Sequence, residues 1–254
     1  DFTTNASPDE ILSIVTPIST AQWDIGRAFG TIGARVQREQ VEITTYRADS
    51  YDGVTRKPTV EFGDTLAGDL GRRDFTVNAM ALRVPDLEFV DPFGGANDLA
   101  KGVLRTPVNP RQSFDDDPLR MMRAIRFVAQ LGFSIEPETA QAITEMTERI
   151  RIVSAERVRD ELVKMLLSDR PRAGIEALVD SGLADIVFPE IPALQLEIDE
   201  HHRHKDVFEH TMIVIDRAVA RGGGVGVERH AEQEREHDLL HGGVDITAWH
   251  RLGS

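Results

Sequence analysis

Apolar residues recur along this chain with two periods, and the change from one to the other divides it. Over the first hundred residues short helical and extended patterns alternate. Residues 8–15 read as a helix, with Asp9 and Glu10 suited to its first turn. Residues 41–46 (VEITTY) alternate and are β-branched, which predicts a strand. Residues 75–83 are apolar enough for a helix or a strand, and 89–95 (FVDPFGG) end in a turn. From Asp115 onward the period becomes helical. Helices are expected over 115–131, stopped by Gly132, then over 137–149, 155–167, 172–181, closed by Gly182, and 208–219. No fixed-period repeat is visible. The pattern predicts an α/β head over 1–110 and an all-helical neck and body over 111–200. A glycine run at 222–224 breaks the last helix, and 222–254 lack any apolar period and read as a flexible tail.

Composition narrows the chemistry. A chain of 254 residues has room for two modules with real cores. It has no cysteine, which removes disulfides, zinc–thiolate sites and thiol nucleophiles. No apolar run is long enough to span a membrane and no signal peptide is visible, so no membrane partner and a cytoplasmic location are expected. The formal charge of −14 argues against a nonspecific nucleic-acid coat, and no DNA partner is expected. A local basic surface still suits a compact RNA substrate.

Two constellations carry candidate chemistry. The first is Gly71-Arg72-Arg73-Asp74-Phe75-Thr76-Val77-Asn78-Ala79. An arginine pair grips phosphate through its planar forks of N–H donors, and a nearby Asp and Asn suit ribose hydroxyls. A surface turn entering a strand is the plainer alternative. The second is the helical stretch 116–127, in which Arg120, Arg123 and Arg126 recur every three residues among Leu119, Met121, Met122, Ile125 and Phe127. No purely polar face is left to solvate three arginines. Packed stems with guanidiniums reaching a triphosphate, or a structural carboxylate, both explain the mixture. Glu42, between Val41 and Ile43, faces away from both by strand alternation.

RRDFTVNA resembles the nucleotide-binding motif of the class II tRNA nucleotidyltransferase and bacterial poly(A) polymerase family. Four further segments match that family in order. DFTTNA at 1–6 resembles the second half of its D-x-D-F/I-x-T metal motif, and VEITTYRAD at 41–49 the strand supplying another carboxylate. DDPLRMMRAIRF at 116–127 resembles the E-D-x-x-R motif, with Asp116 where the family usually has Glu. SAERVRDELVKML at 154–166 resembles the neck helix. The resemblance covers roughly 1–215 and implies a polymerase-β-like nucleotidyltransferase head followed by a helical neck and body. It implies template-independent nucleotidyl transfer to the 3′ end of tRNA, as CCA addition from CTP and ATP with pyrophosphate released. A poly(A) polymerase of the same family and a noncatalytic RNA-binding module are the alternatives.

The resemblance also distributes roles. Asp1 and Glu42 are the catalytic carboxylates holding Mg²⁺, since Mg²⁺ takes hard oxygen ligands and two such ions clamp an in-line phosphoryl displacement. Arg72, Arg73, Asp74, Asn78, Asp117, Arg120, Arg123 and Arg126 bind the nucleotide. Asp117 and Arg120 read the base, one offering only acceptors and the other only donors. Asp115 and Asp116 also suit a helix start. The charged residues Glu156 to Glu161 read as a structural salt-bridge network. Asp1, Glu42, Arg73, Asp74, Asp117 and Arg120 are expected to line one cleft. The family's Gly-Gly-x-x-R loop and first metal Asp are expected upstream of Asp1, so the chain reads as a truncated head that is expected to be poorly active or inactive. Residues 201–221, opening His201-His202-Arg203-His204, resemble the start of a truncated histidine–aspartate hydrolase domain. Without further helices these histidines read as a solvated helix start.

Overall fold

Ser7 starts the first helix, α1 (Pro8–Val15), by a reciprocal cap. The Ser7 hydroxyl accepts from Glu10 N, and the Glu10 carboxylate accepts from Ser7 N at 2.8 Å. Pro8 occupies the first helical position, where a missing N–H costs nothing. The helix presents Ile11 and Val15 on one side, where they pack on Ile32 and Ala34 with Leu12, Val41 and Ile43 around them. The computed structural model describes residues 1–23, 26–46, 65–194 and 207–221.

Those residues form two units. The first holds Asp1–Arg73 and Asn78–Phe93. Its sheet contains β1 (Phe2–Thr4), β2 (Ser19–Trp23), β3 (Thr31–Val36) and β4 (Glu39–Thr45) in the order β1-β4-β3-β2. β1 runs parallel to β4, with Phe2 level with Ile43, and the other pairs are antiparallel. One face is apolar and covered by α1. The other is polar, and on it the Thr31 and Thr44 hydroxyls bond at 3.0 Å. A short helix, α2 (Leu66–Gly71), leads into the arginine pair. The stretch 75–83 is neither one helix nor one strand. It makes a 3-10 turn at Thr76–Asn78, then β5 (Ala81–Arg83), which pairs with β6 (Glu88–Val90).

The second unit takes Asp74–Val77 and, among the described residues, those from Gly94 on. It opens with α3 (Gly95–Lys101) and β7 (Val103–Leu104), which pairs with β8 (Ser134–Ile135). The single helix expected over 115–131 is two, α4 (Pro110–Asp116) and α5 (Leu119–Leu131). Pro118 causes the break, because a residue before proline is driven out of the helical region, and Asp117 lies at φ −142°, ψ 98°. Gly132 stops α5 at φ 69°, a left-handed conformation glycine adopts without steric cost. α6 (Pro137–Met146) tightens into a 3-10 turn over Thr147–Ile152. α7 (Ala155–Leu166), α8 (Pro171–Asp180), α9 (Ala184–Val187), α10 (Glu190–Ala193) and α11 (Val207–Ala220) complete it. The core joins Phe75, Leu104, Phe114, Met121, Ile125 and Ile143, all fully buried. Burying a side chain of this size stabilises by about 1.5–3 kcal/mol.

The units divide the chain differently from the single cut expected near 110. Phe75, Val77 and Leu104 belong to the helical core, so 74–77 and 94–110 fold with the helices. The histidine-rich 201–206 and the tail 222–254 lie outside the described residues. Among the described residues no helix is long and apolar enough to cross a membrane.

Candidate active site

In the first unit a cavity of about 1060 Å³ borders the β1 edge of the sheet, lined by Glu42, Thr31 and Thr44 of the polar face and by Ile11, Val15 and Ile43 of the α1 side. Strand register places two carboxylates there. Asp1 precedes Phe2 and Glu42 precedes Ile43, and Phe2 and Ile43 are partners across β1 and β4. The two acids are therefore level on neighbouring parallel strands, and both line the cavity. Val41 and Ile43 turn to the α1 side, so alternation along β4 sends Glu42 to the opposite, polar face.

The arginine pair joins them. Arg72, Arg73 and Asn78 line the same cavity. Asp69 of α2, nearly fully buried, lies one helical turn before the pair. Its oxygens are 3.5 Å from Arg72 Nε and 3.5 Å from Arg73 Nη2, and it also accepts from the Thr3 hydroxyl at 3.5 Å. Asp69 thus ties β1, which follows Asp1, to both arginines. Arg73 Nη1 also donates to the Asn78 carbonyl. Asp69 is the site residue the sequence reading missed. Its signal was a carboxylate three and four residues ahead of two arginines on one helical turn.

The remaining expected residues lie in the second unit. Both Asp74 oxygens are engaged there: Oδ2 accepts from Arg123 Nε at 2.8 Å and Nη2 at 2.5 Å, and Oδ1 from Phe75 N. Burial works hardest against the charged form of Arg123, yet the Asp74 carboxylate beside it, with Glu161 and Asp117, raises its pKa above the ordinary value. Arg126 lies 4.4 Å above the Phe127 ring and donates to Glu161 at 2.6 Å and Gln130 at 2.7 Å. With side chains only 12% and 8% exposed, Arg126 and Glu161 form a buried ion pair. Phe127 meets Phe75 edge-on at 5.8 Å. Arg123 and Arg126 therefore brace α5 against the 74–77 segment and α7, the structural-carboxylate alternative for these arginines. Asp117 accepts from Leu119 N at 3.2 Å and Arg157 at 3.3 Å. Arg120 is buried and donates from Nη1 to the Ser113 hydroxyl at 2.8 Å.

The cavity's donor set suits a hard divalent cation. Among the described residues no group of three or more histidines or acids converges on one point. Two carboxylates still fit Mg²⁺, which keeps several waters and takes substrate phosphate oxygens beside one or two protein carboxylates.

Known proteins resemble this chain in sequence and fold. Residues 1–105 match the poly A polymerase head domain, and 132–194 match the probable RNA and SrmB-binding site of polymerase A. The chain is 40% identical over 188 residues to the CCA-adding enzyme of Lactobacillus johnsonii, covering 74% of this chain and 46% of that protein. It is 40% identical over 195 residues to the CCA-adding enzyme of Bacillus velezensis, covering 76% and 47%. It thus spans about half the length of the curated relatives it matches. Among solved structures, the Bacillus stearothermophilus CCA-adding enzyme in complex with CTP superposes with a TM-score of 0.64 at 33% identity, over 71% of this chain and 42% of that one. A CCA-adding enzyme in its apo form II shares the fold at a TM-score of 0.65 and 23% identity, over 95% and 68%.

Proposed function

The chain belongs to the poly(A) polymerase and CCA-adding nucleotidyltransferase family, and from that premise we propose that it takes part in adding nucleotides from CTP and ATP to the 3′ end of tRNA. The observation that carries the proposal is one cavity with two carboxylates level on adjacent strands and two arginines opening into it. The CCA reading is supported by relatives near 40% identity that are named CCA-adding enzymes, one relative's structure holding CTP.

The roles follow from chemistry. Arg72 and Arg73 grip the triphosphate with several N–H donors, held in place by Asp69. Asn78 offers its amide to the ribose. Asp1 and Glu42 hold Mg²⁺, which when bound supplies positive charge to the phosphate oxygens on which negative charge builds. The terminal RNA hydroxyl attacks the α-phosphorus and gives its proton to water, a phosphodiester forms, the α–β bridging bond breaks and pyrophosphate departs with the arginines neutralising its charge. Asp117 and Arg120 select the base, and Arg123 and Arg126 keep α5 in place beneath them. Such an activity belongs in the cytoplasm.

Offering the full-length protein a tRNA that lacks its last three nucleotides, with labelled CTP or ATP singly and together, tests this. CMP addition followed by a single AMP is expected. Runs of AMP without CTP would make the protein a poly(A) polymerase, and no labelling would leave it an RNA-binding module.

A further inference from the structure

One row of residues crosses the whole sheet. Trp23 of β2 pairs with Gly33 of β3, Gly33 pairs with Glu42 of β4, and Asp1 stands level with Glu42. Side chains in such a row share a face, as the Thr31–Thr44 bond shows in the neighbouring row. A Cβ placed on Gly33 would lie 1.9 Å from Trp23 Nε1 and 2.1 Å from Cε2, so the indole fills the space of the side chain that Gly33 lacks. The backbone at Gly33 is not in the left-handed region. Glycine in a strand weakens it, and here its use is this close approach. Cβ positions across an antiparallel pair are about 4.5–5.5 Å apart, which brings the indole, lying over Gly33, alongside Glu42.

We infer that Trp23 is a positioning residue for Glu42, walling its carboxylate on the β3 side so that it turns toward Asp1. The inference rests on the proposal that Asp1 and Glu42 hold a divalent cation. A half-buried indole takes away rotamers that carry the carboxylate over β3, and leaves those that meet a cation shared with Asp1. Its N–H is a donor only, so it suits a carboxylate neighbour in its ionised form.

Terbium(III), a hard cation whose emission is sensitised by a nearby indole, reads the arrangement without turnover. The 254-residue chain carries two tryptophans, so Trp249→Phe is placed in every variant and excitation is set beyond the tyrosine absorption band, which leaves Trp23 as the sole donor. Indole-sensitised emission that Mg²⁺ displaces and Glu42→Gln abolishes is expected. By direct excitation of the ion, Trp23→Ala and Gly33→Ala should each weaken terbium binding about tenfold, the usual scale for losing a group that orients a metal ligand. Trp23→Phe, which keeps a ring over Gly33, should restore most of the affinity. Gly33→Ala retains the indole but displaces it, and decides the matter where Trp23→Ala is too unstable to titrate. Affinity unchanged in both variants, with Glu42→Gln still abolishing binding, overturns the role of Trp23 and leaves the cation site standing. Binding indifferent to Glu42→Gln overturns the cation site and this inference together.

Discussion

Asp1 and Glu42 stand level on adjacent parallel strands, each one residue ahead of the paired Phe2 and Ile43. Two like charges so placed repel unless a cation or proton lies between them. A cation shared between the two carboxylates would offset that repulsion. The same cavity receives Arg72 and Arg73, so positive groups already surround the place where a triphosphate would end.

Removing the arginines separately should divide their work. Each charge-assisted hydrogen bond is worth roughly 1.5–3 kcal/mol, so Arg73→Ala should weaken CTP binding by one to two orders of magnitude. Arg72→Ala should act in the same direction. Calorimetric titration of CTP into each variant checks this, and an affinity unaltered by both changes would take the triphosphate away from the pair.

The buried pair Arg126–Glu161 should behave as structure. Stripping one partner from a buried ion pair costs about 3–5 kcal/mol, whereas replacing both with apolar residues is often neutral. Urea unfolding of Glu161→Ala should show a loss of that size, and Arg126→Met with Glu161→Leu should recover most of it. If Arg126→Ala instead weakened CTP binding with stability intact, Arg126 would be a ligand contact.

How far the sequence disclosed this arrangement depended on the range of each interaction. Alternation around Val41 and Ile43 assigned Glu42 to the polar face, and the structure agrees. The span of α1 was legible at residues 8–15, with Asp9 and Glu10 in its first turn. Periodicity failed at Asp117–Pro118, where local sterics overrode an otherwise continuous helical pattern. It also failed to find the partners of Arg123 and Arg126. Asp74 and Glu161 are 49 and 35 residues away along the chain, and only packing brings them to α5. The row from Trp23 to Asp1 was likewise hidden, because register between strands is a tertiary property.

Acid should weaken α1 through its cap. Hydrogen bonds from the Ser7 backbone and hydroxyl lower the pKa of Glu10 in the folded chain. Its contribution is therefore fully present above the ordinary glutamate value and is lost as pH falls through the lowered folded value. Wild type should be more stable than Glu10→Gln near neutrality, and the two should converge in acid. A stability difference independent of pH would remove the carboxylate from the cap's energetics.

Asp117 should govern choice rather than rate. Losing a charged hydrogen bond of roughly 1.5–3 kcal/mol predicts that Asp117→Ala narrows discrimination among CTP, ATP, UTP and GTP by about one to two orders of magnitude. The ratios of kcat/KM on a tRNA ending before its first added C report this. Uniform slowing with unchanged ratios would make Asp117 only a brace at the start of α5, through its bond to Leu119 N.

The central claim, that Asp1 and Glu42 serve nucleotidyl transfer through a shared cation, meets its most direct test in CMP transfer to a tRNA lacking its 3′ CCA. Transfer is measured across a Mg²⁺ titration for the full-length wild type and its Glu42→Gln variant. Glutamine keeps the shape and removes the charge. Mg²⁺-dependent labelling by the wild type, reduced by about two orders of magnitude or more in Glu42→Gln at every Mg²⁺ concentration, is the predicted result. Equal labelling by the two proteins, or labelling indifferent to Mg²⁺, would contradict it.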